Sequence, residues 1–149
     1  MFEGIKKAAS ADRYAFFTEF FKNFYNTDVL LGKRISEQAV QASWNVACIS
    51  SATATVACVP TWHEDFRNDL KRLDVPTLVI HGDSDRIVPF DAAGKRTASL
   101  VKGARLVAIK DGPHNVGWTH AEEVNAELVN FLGKGAASQA DTAPHEAVA

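Results

Sequence analysis

The sequence predicts the α/β class: a helical segment followed by a βαβα unit that holds a short parallel sheet. Three observations predict it. Phe16, Phe17, Phe20, Phe21 and Phe24 recur every three or four residues, which gathers them on one helical face. Thr77, Leu78, Val79 and Ile80 form a continuous run bounded by Pro76 and Gly82, the pattern of a strand covered on both faces in a parallel sheet. A helix-like stretch over residues 91–101 separates this run from a second short strand at Arg105–Ile109, and that order makes a right-handed crossover.

The first helix spans about residues 12–25 and carries the aromatic stripe. Asn, Asp and Gly gather between Asn26 and Lys33 and break it. Ser36 suits an N-cap, because its hydroxyl can accept from the unpaired N–H groups of a first turn. The helix it opens runs to about Ala47, with Val40, Trp44 and Ala47 on one side. Residues 50–60 alternate small and β-branched side chains and fit helix and strand equally. After the βαβ unit comes the loop Lys110–Gly117, then a helix start marked by Thr119 and Glu122, the spacing of a capping box. Ala121, Val124, Leu128 and Phe131 follow with helical period, and Gly133 is the expected stop. The predicted organisation is a helical segment over residues 1–70, a core segment over 71–133 and a disordered tail over 134–149, whose small and polar side chains cannot repay the entropy of ordering.

Composition narrows the function classes. With 149 residues, 46% of them hydrophobic, the chain can bury one core. Sixteen Lys and Arg against eighteen Asp and Glu form no basic run, which argues against a nucleic-acid partner. No apolar run approaches the roughly 20 residues of a membrane span, and no leader pattern opens the chain, so the expected compartment is the cytoplasm. Cys48 and Cys58 have no histidine pair at zinc spacing and are expected to be small buried hydrophobes. His63, His81 and His120 fall on different elements, so no metal site is expected.

In parallel α/β sheets, reactive groups collect on the loops that leave the carboxyl ends of the strands. Asp83 and Asp85 follow the first strand and His114 follows the second. Adjacent parallel strands set these loops side by side, so a carboxylate on one can orient the imidazole of the other, fixing its tautomer and leaving the second nitrogen as a general base. The imidazole reference pKa of about 6.5 suits proton transfer near neutrality. From the residues alone, Asp83 and Asp85 equally suit turn roles and His114 a solvated loop position.

The stretches DVPTLVIHGDSDRIVPF, KDGPHNVGWTHAEEVN and FLG resemble the C-terminal part of the α/β-hydrolase family, in its branch of cofactor-free haloperoxidases and perhydrolases. The resemblance implies that Asp85 is the triad acid and His114 the triad base, 29 residues apart. It also implies that residues 1–70 form the helical cap, with Phe16, Phe20, Trp44 and Trp62 lining a substrate pocket; core packing is the alternative for each aromatic. No cofactor is implied. The implied substrates are small acyl esters or carboxylic acids, with peroxide and halide as co-substrates for the haloperoxidase chemistry.

One departure from the family pattern stands out. No serine here has glycine two residues away on both sides, so the nucleophile elbow Gly-x-Ser-x-Gly and its oxyanion donors are missing from these residues. Because triad members act as a unit, their loss costs about a million-fold in turnover. The expectation is a partial hydrolase, inactive alone, whose open sheet edge along Val75–His81 invites self-association or a complementary N-terminal half. A non-catalytic dimerisation or interaction module is the alternative. No Gly-rich cradle follows either strand, which argues against an anion site.

Overall fold

The structure, a computed structural model, describes residues 2–140. Its helical part opens with α1 (Phe2–Ala11), an element the aromatic stripe did not reveal, and α2 (Arg13–Phe24). Between them the Asp12 carboxylate accepts from the N–H groups of Tyr14 and Ala15, both at 3.0 Å, and satisfies donors that α2 would leave open. A one-turn helix, α3 (Thr27–Leu30), follows Asn26, which takes the left-handed conformation at φ 48°. Helix α4 (Glu37–Ile49) starts at Ser36, whose hydroxyl accepts from Ala39 N at 3.2 Å, as the sequence predicts.

The segment that fits helix and strand equally is helical. Ser51 caps α5 (Ala52–Ala57) by accepting from Ala54 N, and a 3-10 turn over Val59–His63 and the short α6 (Arg67–Leu70) lead to the sheet. Local capping decides the choice, since among the described residues no strand lies beside this segment to pair with it.

The core of the helical part is the aromatic face of α2 closed by α3 and α4: Phe17, Phe21, Tyr25, Leu30 and Ile35 are buried, with Phe20, Phe24 and Trp44 packed against them. Most ring pairs meet tilted or edge-on, for example Phe21 with Phe24 at 5.6 Å, while Phe21 and Tyr25 stack at 6.1 Å, arrangements that suit their quadrupoles. Tyr25, 2% exposed, adds a polar pin. Asn115 Nδ2 donates to its hydroxyl at 3.2 Å, and the hydroxyl is 2.7 Å from Ser43 Oγ, which itself donates to the Ala39 carbonyl at 3.0 Å. This chain ties α2 and α4 to the loop that carries His114.

Strands β1 (Leu78–Gly82) and β2 (Arg105–Ile109) pair in parallel, with Leu78 opposite Arg105 and Gly82 opposite Ile109. A 3-10 turn over Phe90–Ala92 and α7 (Gly94–Leu100) connect them. One expectation is corrected here: of the β1 residues only Gly82 is buried and the other four are half-buried. A parallel strand becomes fully covered only with neighbours on both edges and layers on both faces, and β1 has a partner strand on one edge alone.

The chain closes with α8 (Val116–Thr119) and α9 (Ala121–Ala140). The capping box is not formed. Thr119 Oγ1 donates instead to the Asn115 carbonyl at 3.1 Å and contacts His120 Nδ1 at 2.9 Å, because Thr119 ends α8 rather than preceding a bare helix start. Nor does Gly133 stop α9, which continues to Ala140; the expected tail is therefore helical over residues 134–140, and its remainder, 141–149, lies outside the described residues. No single helix among the described residues is long and apolar enough to cross a membrane.

The packing makes a graded prediction. Phe21→Ala should lower unfolding free energy by about 3–5 kcal/mol, and Tyr25→Phe by about 1–2 kcal/mol as Asn115 and Ser43 lose their shared partner; urea denaturation followed by circular dichroism measures both.

Candidate active site

The two loops at the carboxyl ends of β1 and β2 are fastened to each other through backbone groups. Asp83 N donates to the Ile109 carbonyl at 3.1 Å and Ser84 N to the Gly112 carbonyl at 3.0 Å. Asp83 Oδ1 accepts from Asp111 N at 2.8 Å, where Asp111 turns left-handed at φ 57°. A Cβ on Gly82 would lie 2.2 Å from the Gly112 oxygen, so the approach requires glycine there. Asp83 is thus the residue that joins the loops, a role beyond the local turn the sequence suggested.

This fastening brings Asp85 and His114 together. Asp85 Oδ2 accepts from His114 Nδ1 at 2.8 Å. Asp85 Oδ1 accepts from the N–H groups of Ile87 and Val88, both at 2.8 Å, and the side chain is only 3% exposed. A carboxylate can only accept from these partners, so the contact places the imidazole proton on Nδ1 and leaves the Nε2 lone pair free. Nε2 makes no hydrogen bond among the described residues, and the ring, 33% exposed, lies 4.9 Å from that of Phe24. The resulting arrangement is an oriented base facing open space.

That space is a cavity of about 680 Å³ lined by His114, Phe16, Phe20, Trp62, Ile87 and Val88 together with α1 residues. Three of the four aromatics singled out for a pocket, Phe16, Phe20 and Trp62, line it. Trp44 does not. Its indole N–H donates to the Tyr14 carbonyl at 3.2 Å, and it faces a separate groove with Thr18 and Phe21, because the seam between α2 and α4 turns its ring away from His114. A larger groove of about 860 Å³ runs between α3, β2 and α9, but His114 does not reach it.

One residue of the site escaped the sequence reading. His81, at the end of β1, stands with Nε2 3.1 Å from Asp85 Oδ2 and 2.9 Å from the Val88 carbonyl. The spacing of four residues between His81 and Asp85 was visible, but only the turn after Gly82 folds it into contact. Asn26 supports the same loop by donating to the Ser84 carbonyl at 2.8 Å. Arg86 forks onto Asp28 at 2.8 and 3.2 Å, and its guanidinium holds the Asp28 carboxyl below the usual carboxylate range.

No serine among the described residues hydrogen-bonds to His114. Ser50, which lines the cavity, donates to the Ala47 carbonyl at 2.6 Å; Ser84 donates to Asp83 at 3.0 Å.

Comparisons with known proteins identify the family. The sequence profile of the alpha/beta hydrolase fold matches residues 1–121, and the chain belongs to the α/β-hydrolase family. It is 55% identical over 132 residues, 89% of its length, to a Synechocystis sp. protein assigned as a non-heme chloroperoxidase, of which it covers 48%. It is 34% identical over 102 residues, 68% of its length, to a bifunctional esterase/perhydrolase of Acinetobacter calcoaceticus, of which it covers 37%. A bromoperoxidase from Bacillus anthracis superposes with a TM-score of 0.84 at 38% identity, over 89% of this chain and 48% of that one. The chain spans about half the length, or less, of these relatives.

Beside the site, burial first and the Arg34 guanidinium second push the His120 imidazole below its ordinary value. As pH falls below about 6.5 the unfolded chain takes up this proton before the folded one, so stability rises with pH across the interval between the folded and unfolded values and is lost on acidification. Thermal denaturation should give a lower Tm at about pH 5 than at about pH 7.5, and His120→Asn should reduce that difference.

Proposed function

We propose that Asp85 and His114 are the acid and base of a serine-type hydrolase, and that the attacking serine is supplied by sequence outside these 149 residues, in the same polypeptide or in another. The 2.8 Å contact that orients His114 with a free Nε2 beside an apolar cavity carries this reading. In the assembled enzyme His114 would take the proton of the serine hydroxyl as it attacks an ester or carboxylic acid, and return it to the leaving group. Asp85 would hold the imidazole and stabilise its charged form. Water would release the acyl group as an acid; hydrogen peroxide would release it as a peracid that oxidises halide.

Support for the substrate class comes from the cavity, lined mostly by aromatic and aliphatic side chains with Ser50, Thr55 and His114 among them, and from relatives named as chloroperoxidases and as an esterase/perhydrolase. Residues 1–70 act in this reading as the cap over the acyl group. The two unpaired cysteines fit a cytoplasmic setting. The free edge of β1 is where we place the complementary N-terminal half. The same edge favours a second reading, a non-catalytic interaction or self-association module, because unpaired strand edges recruit other chains.

The experiment is complementation. The 149-residue chain alone should hydrolyse 4-nitrophenyl acetate no faster than buffer. Mixed with the N-terminal half of a relative that bears Gly-x-Ser-x-Gly, it should gain ester hydrolysis that falls by about 10⁴ to 10⁶ in His114→Ala and by about 10⁴ in Asp85→Asn. Hydrolysis that survives His114→Ala would overturn the assignment, and co-elution of the halves without turnover would favour the interaction module.

A further inference from the structure

Asp85 meets two imidazoles, and only one of them is explained by the acid and base roles. Rotation about Cβ–Cγ, a soft and nearly two-fold torsion in Asp, turns both carboxylate oxygens together, and the N–H groups of Ile87 and Val88 restrain it from the Oδ1 side. That rotation swings Oδ2 toward or away from His114. His81 stands against Oδ2 at 3.1 Å. Its Nε2 faces the Val88 carbonyl at 2.9 Å, and a carbonyl only accepts, so Nε2 carries a proton and turns a positively polarised edge toward the carboxylate.

The ring of His81 is itself confined. Phe90 meets it edge-on at 5.7 Å. A Cβ on Gly94, at the start of α7, would lie 2.7 Å from His81 Nδ1, so α7 comes close only because residue 94 has no side chain. The Val88 peptide closes the circuit, giving its N–H to Asp85 and its carbonyl to His81.

We infer that His81 is a positioning residue: wedged between α7 and the loop after β1, it fixes the plane of the Asp85 carboxylate through the contact at Oδ2 and so fixes the tautomer of His114. The inference rests on the acid and base reading of Asp85 and His114 and adds to it a third group that touches neither substrate nor nucleophile.

Imidazole NMR of the full ¹⁵N-labelled chain tests it without any need for turnover. In the unsubstituted protein His81 should carry its proton on Nε2 and His114 on Nδ1. His81→Met, which keeps bulk and removes the N–H, should shift His114 toward the tautomer mixture of free imidazole and speed exchange of its Nδ1 proton on the order of tenfold. His81→Gln, whose amide can face both Val88 and Asp85, should restore the fixed form. A His114 tautomer unchanged in a folded His81→Met protein overturns the inference and leaves the Asp85–His114 pair standing, whereas His114 protonated on Nε2 in the unsubstituted protein overturns both. Should His81→Met fail to fold, the unsubstituted spectrum still decides, since an Nδ1-protonated His81 excludes the contact.

Discussion

The close approach of Gly82 to Gly112 is the constraint on which the rest of the site depends. Two parallel strands end at the same level, and their following loops can exchange backbone hydrogen bonds only if nothing stands between them. Glycine at both positions removes the obstruction. Asp83 then reaches Asp111, Ser84 reaches Gly112, and the side chains one residue beyond Ser84 and two beyond Gly112, Asp85 and His114, face each other at hydrogen-bond distance. A small backbone feature therefore sets the geometry of a charged pair.

The carboxylate at the centre is almost fully removed from water, a state that costs several kcal/mol unless its acceptor sites are filled. Two backbone N–H groups and the His114 Nδ1–H fill them, and the His81 Nε2 edge stands 3.1 Å from Oδ2. These groups come from three places: the two N–H groups from the turn after β1, His81 from the end of β1 and His114 from the loop after β2. The helical part joins the same assembly through Tyr25, Asn26 and Asn115, which tie it to the loops that carry Asp85 and His114. The cavity combines a mainly apolar lining with a few polar groups, Ser50, Thr55 and His114, the combination expected of a ligand site.

What the molecule leaves uncovered is equally informative. Strand β1 has a free edge and half-buried apolar faces, while Val129 and Leu132 of α9 and Ile49 of α4 are exposed. The chain belongs to the α/β-hydrolase family and covers about half the length of its relatives. In the function proposed above, these apolar groups are the surfaces against which a complementary half would pack.

The sequence by itself determined the elements whose signals are local. Aromatic periodicity marked α2, Ser36 marked α4, and the bounded apolar runs marked the two strands, because helix faces, caps and strand composition act over a few residues. Strand order also set Asp83, Asp85 and His114 on neighbouring loops, and the resemblance to the hydrolase family singled out Asp85 and His114 among them. Tertiary structure alone decided the rest. It drew the Thr119 hydroxyl to Asn115 and His120 instead of to a helix start, turned Trp44 into the α2–α4 seam, and folded His81 back onto Asp85. Each of these depends on which of several competing partners comes within about 3 Å, and distances between segments far apart in the chain are set by packing rather than by neighbours in sequence.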